Sequence, residues 1–206
     1  MTMPLLLIAA AAAGSLAPWQ ASWNAAASAL NRGDAASCLA GVPHDSAVTE
    51  NPEAWLDLGY TCAVVASDLA RADRYRWLLG AHYAPRAALD IHHAWLKRQA
   101  GDPEAALALL APQGWTLPQQ QSVGRTLQLT LLTDIGQWDQ AYTLAFDPAV
   151  DPKAQATLAR RLTGAGRAEE ARRVFDQACP RLAQPEAWGC ASVLRLPTEP
   201  AVVSVQ

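Results

Sequence analysis

The pattern of apolar and polar residues along the chain is that of successive helices, and the prolines that begin them recur at intervals of 33 or 34 residues. Alanine dominates the apolar positions, and no stretch alternates in the manner of a half-buried strand. Alanine favours helix because it loses no side-chain entropy on entering one. Proline is favoured at a helix start because its missing N–H costs nothing there and its fixed φ suits the first turn. The prolines that mark the repeat, and so predict six helix starts, are Pro18, Pro52, Pro85, Pro118, Pro152 and Pro185.

A second series of residues predicts where each of the first five helices turns back into another. It consists of Gly33, Ser67, Gly101, Gly136 and Gly166, at intervals of 34, 34, 35 and 30 residues. Five residues after each turn stands a small residue, as is needed where two antiparallel helices approach closely. These small residues are Cys38, Ala72, Ala106, Ala141 and Ala171. The pattern predicts an all-α fold of five antiparallel helix pairs, without a sheet.

Two nearly identical segments mark helix starts at opposite ends of the chain. In NPEAW, Asn51 is a good N-cap, Pro52 takes the first helical position, and Trp55 is predicted to point into the helix stack. QPEAW begins at Gln184 and opens a lone last helix, from Pro185 to about Leu196. An array of helix pairs needs such a helix to cover the apolar face of its last repeat.

This organisation resembles the tetratricopeptide repeat (TPR), a helix–turn–helix unit of 34 residues. The resemblance is carried by Trp55, the Gly-Asp turns and the small residue of each second helix. It implies a right-handed α-solenoid of about five TPR-like repeats plus a C-terminal capping helix. The predicted repeat domain spans residues 18–196, and residues 197–206 are a flexible tail. The Gly and Tyr that the family carries in the first helix are mostly absent, so a related helical-hairpin array is the alternative.

The N-terminal segment, residues 1–17, predicts export. An apolar run of nine residues, Leu5–Ala13, is followed by small residues up to Ala17, and the run is too short to span a bilayer. This is the pattern of a signal peptide, although the segment has no Lys or Arg and cleavage after Ala13 or Ala21 is also open. An uncleaved membrane-associated helix and a buried alanine-rich helix are the alternatives. The predicted location is the periplasm or cell envelope, with membrane contact only through this segment.

The charge balance argues against one large class of partner. The formal net charge is −3 and the sequence pI is about 5.8. Binding of nucleic-acid backbones requires a basic stripe, and the sequence shows none. Nucleic acid is therefore not predicted as a partner.

Four cysteines, none of them in a CxxC pair, disfavour a zinc knuckle or a thioredoxin-type site. An even number in an exported chain indicates disulfides, and sequence alone leaves three pairings open. The resemblance to TPR arrays favours Cys38–Cys62 and Cys179–Cys190, because each pair then joins consecutive helices at one end of the array. Crossed pairs would bring the first repeat against the fifth, which an open superhelix does not allow. Four free thiols are the alternative if the protein is not exported.

Candidate chemistry is sparse. His92 and His93 adjoin Asp90, but neighbouring helical residues point about 100° apart and chelate one metal poorly. The sequence has no G-x-S-x-G motif, no glycine-rich phosphate loop and no Cys–His signature. We therefore predict no enzyme activity, no metal and no cofactor. The alternative is a metal protein or enzyme centred on these two histidines and His82, with His44 as a further ligand.

The resemblance implies that the concave wall of the array is built from the first helix of each repeat. Counting back ten, six or three residues from each turn selects side chains that would line this wall. The selected residues are Trp23, Asp57, Thr61, Ile91, Trp95, Arg98, Thr126, Thr130 and Arg160. Aromatic, hydroxyl and arginine side chains suit an extended peptide or protein segment. The Lys and Asn of the carboxylate clamp found in the family are absent from these positions, and Trp23 and Trp95 have packing within the array as their alternative role.

The predicted function is an exported scaffold or adaptor that binds a peptide or protein segment on this wall. Fold analogy carries most of that step. The alternatives are the histidine-centred metal protein or enzyme and a membrane-anchored subunit of an envelope complex.

Overall fold

A computed structural model describes residues 17–43, 50–83, 86–110, 115–184 and 190. Within these ranges every regular element is helical, so the predicted all-α class is confirmed for the described part of the chain. The predicted signal segment before Ala17 and the C-terminal tail lie outside the described residues. So does the predicted capping helix, apart from Cys190.

The chain divides into two compact units, Met1–Pro85 and Arg86–Gln206. The first unit contains two helix pairs, and both of its first helices, α1 and α3, begin at a proline of the repeat, as predicted. Consecutive helices pack against each other, and α1 also contacts α3. The helices of this unit are α1 (Pro18–Asn31), α2 (Ala35–Gly41), α3 (Pro52–Val65) and α4 (Leu69–His82).

The second unit contains three helix pairs. Its helices are α5 (Ala87–Gln99), α6 (Pro103–Leu109), α7 (Pro118–Asp134), α8 (Trp138–Ala145), α9 (Pro152–Gly164) and α10 (Ala168–Ala178), followed by a 3₁₀ turn at Cys179–Arg181. We call the first helix of each pair an A helix and the second a B helix. The A helices of this unit lie side by side, with α5 against α7 and α7 against α9.

Every A helix ends in the same left-handed turn, at the position that the repeat predicts. In the turn after α5, the N–H of Gly101 donates to the carbonyl of Arg98 at 3.1 Å and that of Asp102 to Lys97 at 3.0 Å. This pair of bonds is the Schellman motif, which requires a positive φ at the turn residue. The same two bonds close the other four turns, and the turn residues are Gly33 (φ 79°), Ser67 (58°), Gly101 (85°), Gly136 (73°) and Gly166 (78°).

The residue after the turn also begins the B helix in three of the pairs. The carboxylates of Asp34, Asp68 and Asp102 accept the backbone N–H three residues onward, at 3.0, 3.0 and 3.1 Å. Hydrogen bonds from the side chain and the N–H of Ser37 lower the pKa of Asp34. One residue thus closes the A helix with its N–H and caps the B helix with its carboxylate.

The small residues of the B helices are buried, as the sequence predicts. All five that the sequence singled out are fully buried: Cys38, Ala72, Ala106, Ala141 and Ala171. Trp55 on α3 is 2% exposed, as predicted for a side chain in the stack.

Two glycines on A helices leave room for aromatic rings. A Cβ added at Gly59 would lie 2.7 Å from the ring of Tyr75 on α4, and one added at Gly124 would lie 2.7 Å from Trp115. Burial raises the pKa of Tyr75. Trp115 precedes α7 and belongs to the core of the second unit.

Both predicted cysteine pairs lie at disulfide distance. Cys38 on α2 faces Cys62 on α3, and Cys179 faces Cys190, each pair with a Cα–Cα distance of 5.9 Å. All four cysteines are buried. Each bond closes a short loop between elements that are close in sequence.

Ser67 is the one turn residue of the five that is not glycine, and a left-handed conformation strains any residue with a Cβ. We expect Ser67→Gly to raise the free energy of unfolding by about 0.5–1 kcal/mol, because the relieved strain exceeds the added flexibility of the unfolded chain. Urea unfolding followed by circular dichroism measures this change. The matched control is Gly101→Ser, where a new Cβ meets nothing within 4 Å. Gly101→Ser should lower the free energy of unfolding by a similar amount. Equal stability of both variants and the parent protein would contradict the role of the turn.

The disulfides generate a second prediction. Mass spectrometry of unreduced peptides should find Cys38 linked to Cys62 and Cys179 linked to Cys190. Replacing both members of either pair by alanine should lower the free energy of unfolding by about 2–3 kcal/mol, because the unfolded chain regains the entropy of an open loop. A link between Cys38 and Cys179 would contradict this pairing, and four free thiols in protein from its native compartment would contradict export.

Candidate partner-binding surface

Two polar contacts set the register of the A helices in the second unit. Nε of Arg98, in the last turn of α5, lies 2.7 Å from Oδ2 of Asp134, in the last turn of α7. The N–H of Asp151, which caps α9, donates to Oγ1 of Thr126 on α7 at 2.9 Å. Thr126, Thr130 and Asp134 follow one another at four-residue spacing on α7, so the two contacts place Arg98 and the start of α9 beside the same side of α7.

We call this side the A face of the second unit. Its residues occupy the predicted positions, or the position one turn earlier, on the three A helices. They are Trp95, Arg98, Val123, Thr126, Thr130, Lys153 and Arg160.

Trp95 supplies the aromatic side chain of the A face and is 42% exposed. It lies one helical turn before Arg98, and its ring is nearly parallel to that of His92, with ring centroids 6.4 Å apart. Arg160 is exposed on α9, and Thr130 is half-buried on α7. Packing within the array, the alternative role of Trp95, therefore accounts for only part of its surface. The rest of the side chain is exposed and accessible to a partner.

Ile91 departs from the predicted wall. It is 8% exposed and packs in the same hydrophobic cluster as Leu127 and Leu131 of α7. The neighbouring A helix covers it, so Ile91 contributes to the core and not to the A face.

In the first unit the three predicted wall residues are less available. Trp23 is half-buried, and its Nε1 donates to the carbonyl of Ala54 at 3.1 Å, which joins α1 to α3. Asp57 is half-buried, and Thr61 is exposed with its hydroxyl donating to the carbonyl of Asp57 at 2.9 Å. Trp23 thus has the packing role that the sequence left open.

Five exposed large hydrophobic residues of the described chain are not among the predicted wall residues: Val65, Trp77, Leu117, Val123 and Phe146. Val123 is 56% exposed on α7, one turn before Thr126, and counting back thirteen residues from Gly136 would have found it. Trp77 is 64% exposed on α4, a B helix of the first unit. No periodic signal separates Trp77 from the buried tryptophans, because its exposure depends on which side of α4 is packed.

The histidines do not form a ligand set in the described part of the chain. His93 is fully buried on α5, and burial, with a smaller contribution from His93, lowers the pKa of the half-buried His92. His82 lies on α4 in the other unit, and His44 lies outside the described residues. Among the described residues, no three His, Cys, Asp or Glu side chains cluster as metal ligands would. The geometry thus adds no support to the metal-centred alternative.

Membrane association was predicted only through the N-terminal segment. Across the ranges that the structure describes, no helix combines the length and apolar character needed to cross a bilayer.

Comparisons with known proteins add little to this description. No family model matches the chain, and no curated protein matches it. A thermophilic TPR protein of Thermus thermophilus, known from a crystal structure, is similar with a TM-score of 0.43 and 17% identity. The similarity covers 86% of this chain and 99% of that one. A TM-score of 0.43 is too low to support an argument about this chain. The fold therefore follows from the helices of the chain itself.

Thr126 and Thr130 lie one turn apart on the A face, but their hydroxyls have different roles. Oγ1 of Thr126 accepts the N–H of Asp151, the residue that caps α9. The hydroxyl of Thr130 donates to the carbonyl of Thr126 within its own helix, at 2.8 Å. We expect Thr126→Val to lower the free energy of unfolding by about 1 kcal/mol, because the N–H of Asp151 loses its acceptor. Thr130→Val is the control of equal size and should change it by less than about 0.5 kcal/mol. Denaturant unfolding compares the two, and equal losses would contradict the structural role of Thr126.

Proposed function

We propose that this protein is an exported scaffold or adaptor, and that the A face of its second unit binds an extended peptide or protein segment. The observation that carries the proposal is the exposure of Trp95 beside Arg98 on three aligned A helices. Tryptophan and arginine are the residues that most often supply binding energy at protein interfaces. An exposed tryptophan held on a helix loses little conformational freedom when a partner covers it.

Two features support export. The four cysteines lie in two pairs at disulfide distance, and disulfides persist in oxidising compartments such as the periplasm. The first seventeen residues have the pattern of a signal peptide. We therefore propose the periplasm or cell envelope as its location, and the proposed role as a scaffold requires neither enzymatic activity nor a cofactor.

The proposal is tested by photo-crosslinking in native envelope extracts, with a photoreactive amino acid at Thr130. We expect a discrete adduct that Trp95→Ala reduces by about tenfold or more, because a truncated anchor residue loses most of its contact energy. The matched control is Trp77→Ala, which removes an exposed tryptophan from a B helix and should leave the adduct unchanged.

A photoreactive residue at Arg172, on α10, provides the second control. Adducts of equal yield from Thr130 and Arg172, or an adduct insensitive to Trp95→Ala, would contradict binding on the A face. N-terminal sequencing of the mature protein tests export separately, since cleavage near Ala17 removes the signal segment.

A further inference from the structure

The A helices of the second unit are basic, although the chain as a whole has a net charge of −3. Their six basic residues are Lys97, Arg98, Arg125, Lys153, Arg160 and Arg161, and their acidic residues are Asp90 and Asp134, a balance of +4. The loop between α8 and α9 adds two carboxylates at the ends of these helices, those of Asp147 and Asp151. With both of them included, the balance remains +2.

Two of these carboxylates have defined structural roles. Asp147 lies 3.3 Å from Nε of Arg125, whose guanidinium also lies over the ring of Trp115. Asp151 accepts the N–H of Lys153 at 2.7 Å and so caps α9. The α9 helix contains Lys153, Arg160 and Arg161, all exposed, and no acidic residue.

The A helices of the first unit have the opposite charge. Neither α1 nor α3 contains a lysine or arginine, and α3 carries Glu53 and Asp57. The positive balance is therefore a property of the A helices of the second unit and not of A helices in general.

We infer that the A face of the second unit selects an acidic segment with apolar side chains. Trp95 and Val123 would contact the apolar side chains, and Arg98, Lys153 and Arg160 would face the carboxylates. Opposite charges across an interface raise the association rate and exclude partners of the wrong sign. The recognised carboxylates are those of side chains along the segment, because the cations lie on two separate helices, Arg98 on α5 and Lys153 and Arg160 on α9. This inference rests on the proposed function and specifies the chemistry of its partner.

The test uses three synthetic peptides with amidated C-termini and alternating leucine. The other positions hold glutamate in the first peptide, glutamine in the second and lysine in the third. Fluorescence anisotropy with the full chain should show the glutamate peptide binding about tenfold more tightly than the glutamine peptide, since two exposed ion pairs contribute about that much together. The lysine peptide should bind most weakly. Added salt should remove the advantage of the glutamate peptide and leave the glutamine peptide unchanged.

Arg160→Gln should weaken binding of the glutamate peptide by about two- to fivefold and leave binding of the glutamine peptide unchanged. Arg74→Gln, at an exposed position on α4, makes the same change of net charge away from the A face and is the matched control. Asp57→Asn in the first unit should not weaken the glutamate peptide either. Circular dichroism establishes that each variant retains its helices.

The outcomes separate this inference from the proposed function. Equal binding of the glutamate and glutamine peptides, or tighter binding of the lysine peptide, overturns the acidic selectivity. If that binding still requires Trp95, the A face remains a peptide-binding surface. Absence of binding by the glutamate peptide overturns the inference, and the crosslinking experiment then decides on the proposed function alone.

Discussion

The left-handed turn between each A helix and its B helix is the constraint on which the fold depends. The turn reverses the chain within two residues and brings the B helix back along the A helix that precedes it. A Schellman motif satisfies two of the last carbonyls of the A helix, and in three pairs the following aspartate caps the next helix. Because the reversal is tight, the paired helices are close, and only a small side chain fits between them five residues later. A larger residue at Ala106 or Ala141, both fully buried, would separate the pair.

Three of the five B helices, α2, α6 and α8, have only seven or eight residues, and this makes their remaining contacts important. The α2 and α6 helices have seven residues each, and helices of that length are not stable alone. The α2 helix is fixed to α3 by the Cys38–Cys62 pair, whereas α6 packs between α5 and α7. At the C-terminal side, Cys190 is paired with the end of α10. The Cys38–Cys62 pair therefore supports a helix that is too short to be stable alone.

Much of this fold can be predicted from the sequence, because its determinants are local. The proline at a helix start, the residue with positive φ and the small residue five positions later all act within one helix pair. The predicted turns and buried small residues follow from these rules, whereas the cysteine pairs were implied by the resemblance to a repeat array. The burial of the wall residues does not follow from these local rules, because it depends on how neighbouring A helices are aligned. Ile91 and Trp95 are one turn apart on α5, yet α7 covers the first and leaves much of the second exposed.

Buried polar residues show the same limit. Gln155 on α9 looks like a solvent-facing position, but it is fully buried and donates to the carbonyl of Ala145 at 2.5 Å. Its oxygen accepts from Arg181, which also donates to the carbonyl of Val150 at 3.0 Å. This network satisfies backbone groups in the turn between α8 and α9. The path of the turn between α8 and α9 is what leaves these backbone groups to be satisfied by side chains. The repeated proline, turn and small-residue positions do not specify that path.

The candidate surface combines groups that differ in what they contribute to binding. Exposed ion pairs contribute little free energy, because water and salt screen the charges and two long side chains must be ordered. Part of the cationic charge is also committed within the protein, since Arg98 is bonded to Asp134 and Arg125 lies against Asp147. Affinity must therefore come mainly from covering Trp95 and Val123, whose apolar surface is lost from water on binding. The charges then decide which apolar segment is accepted, because a basic segment would bring like charges together over the same helices.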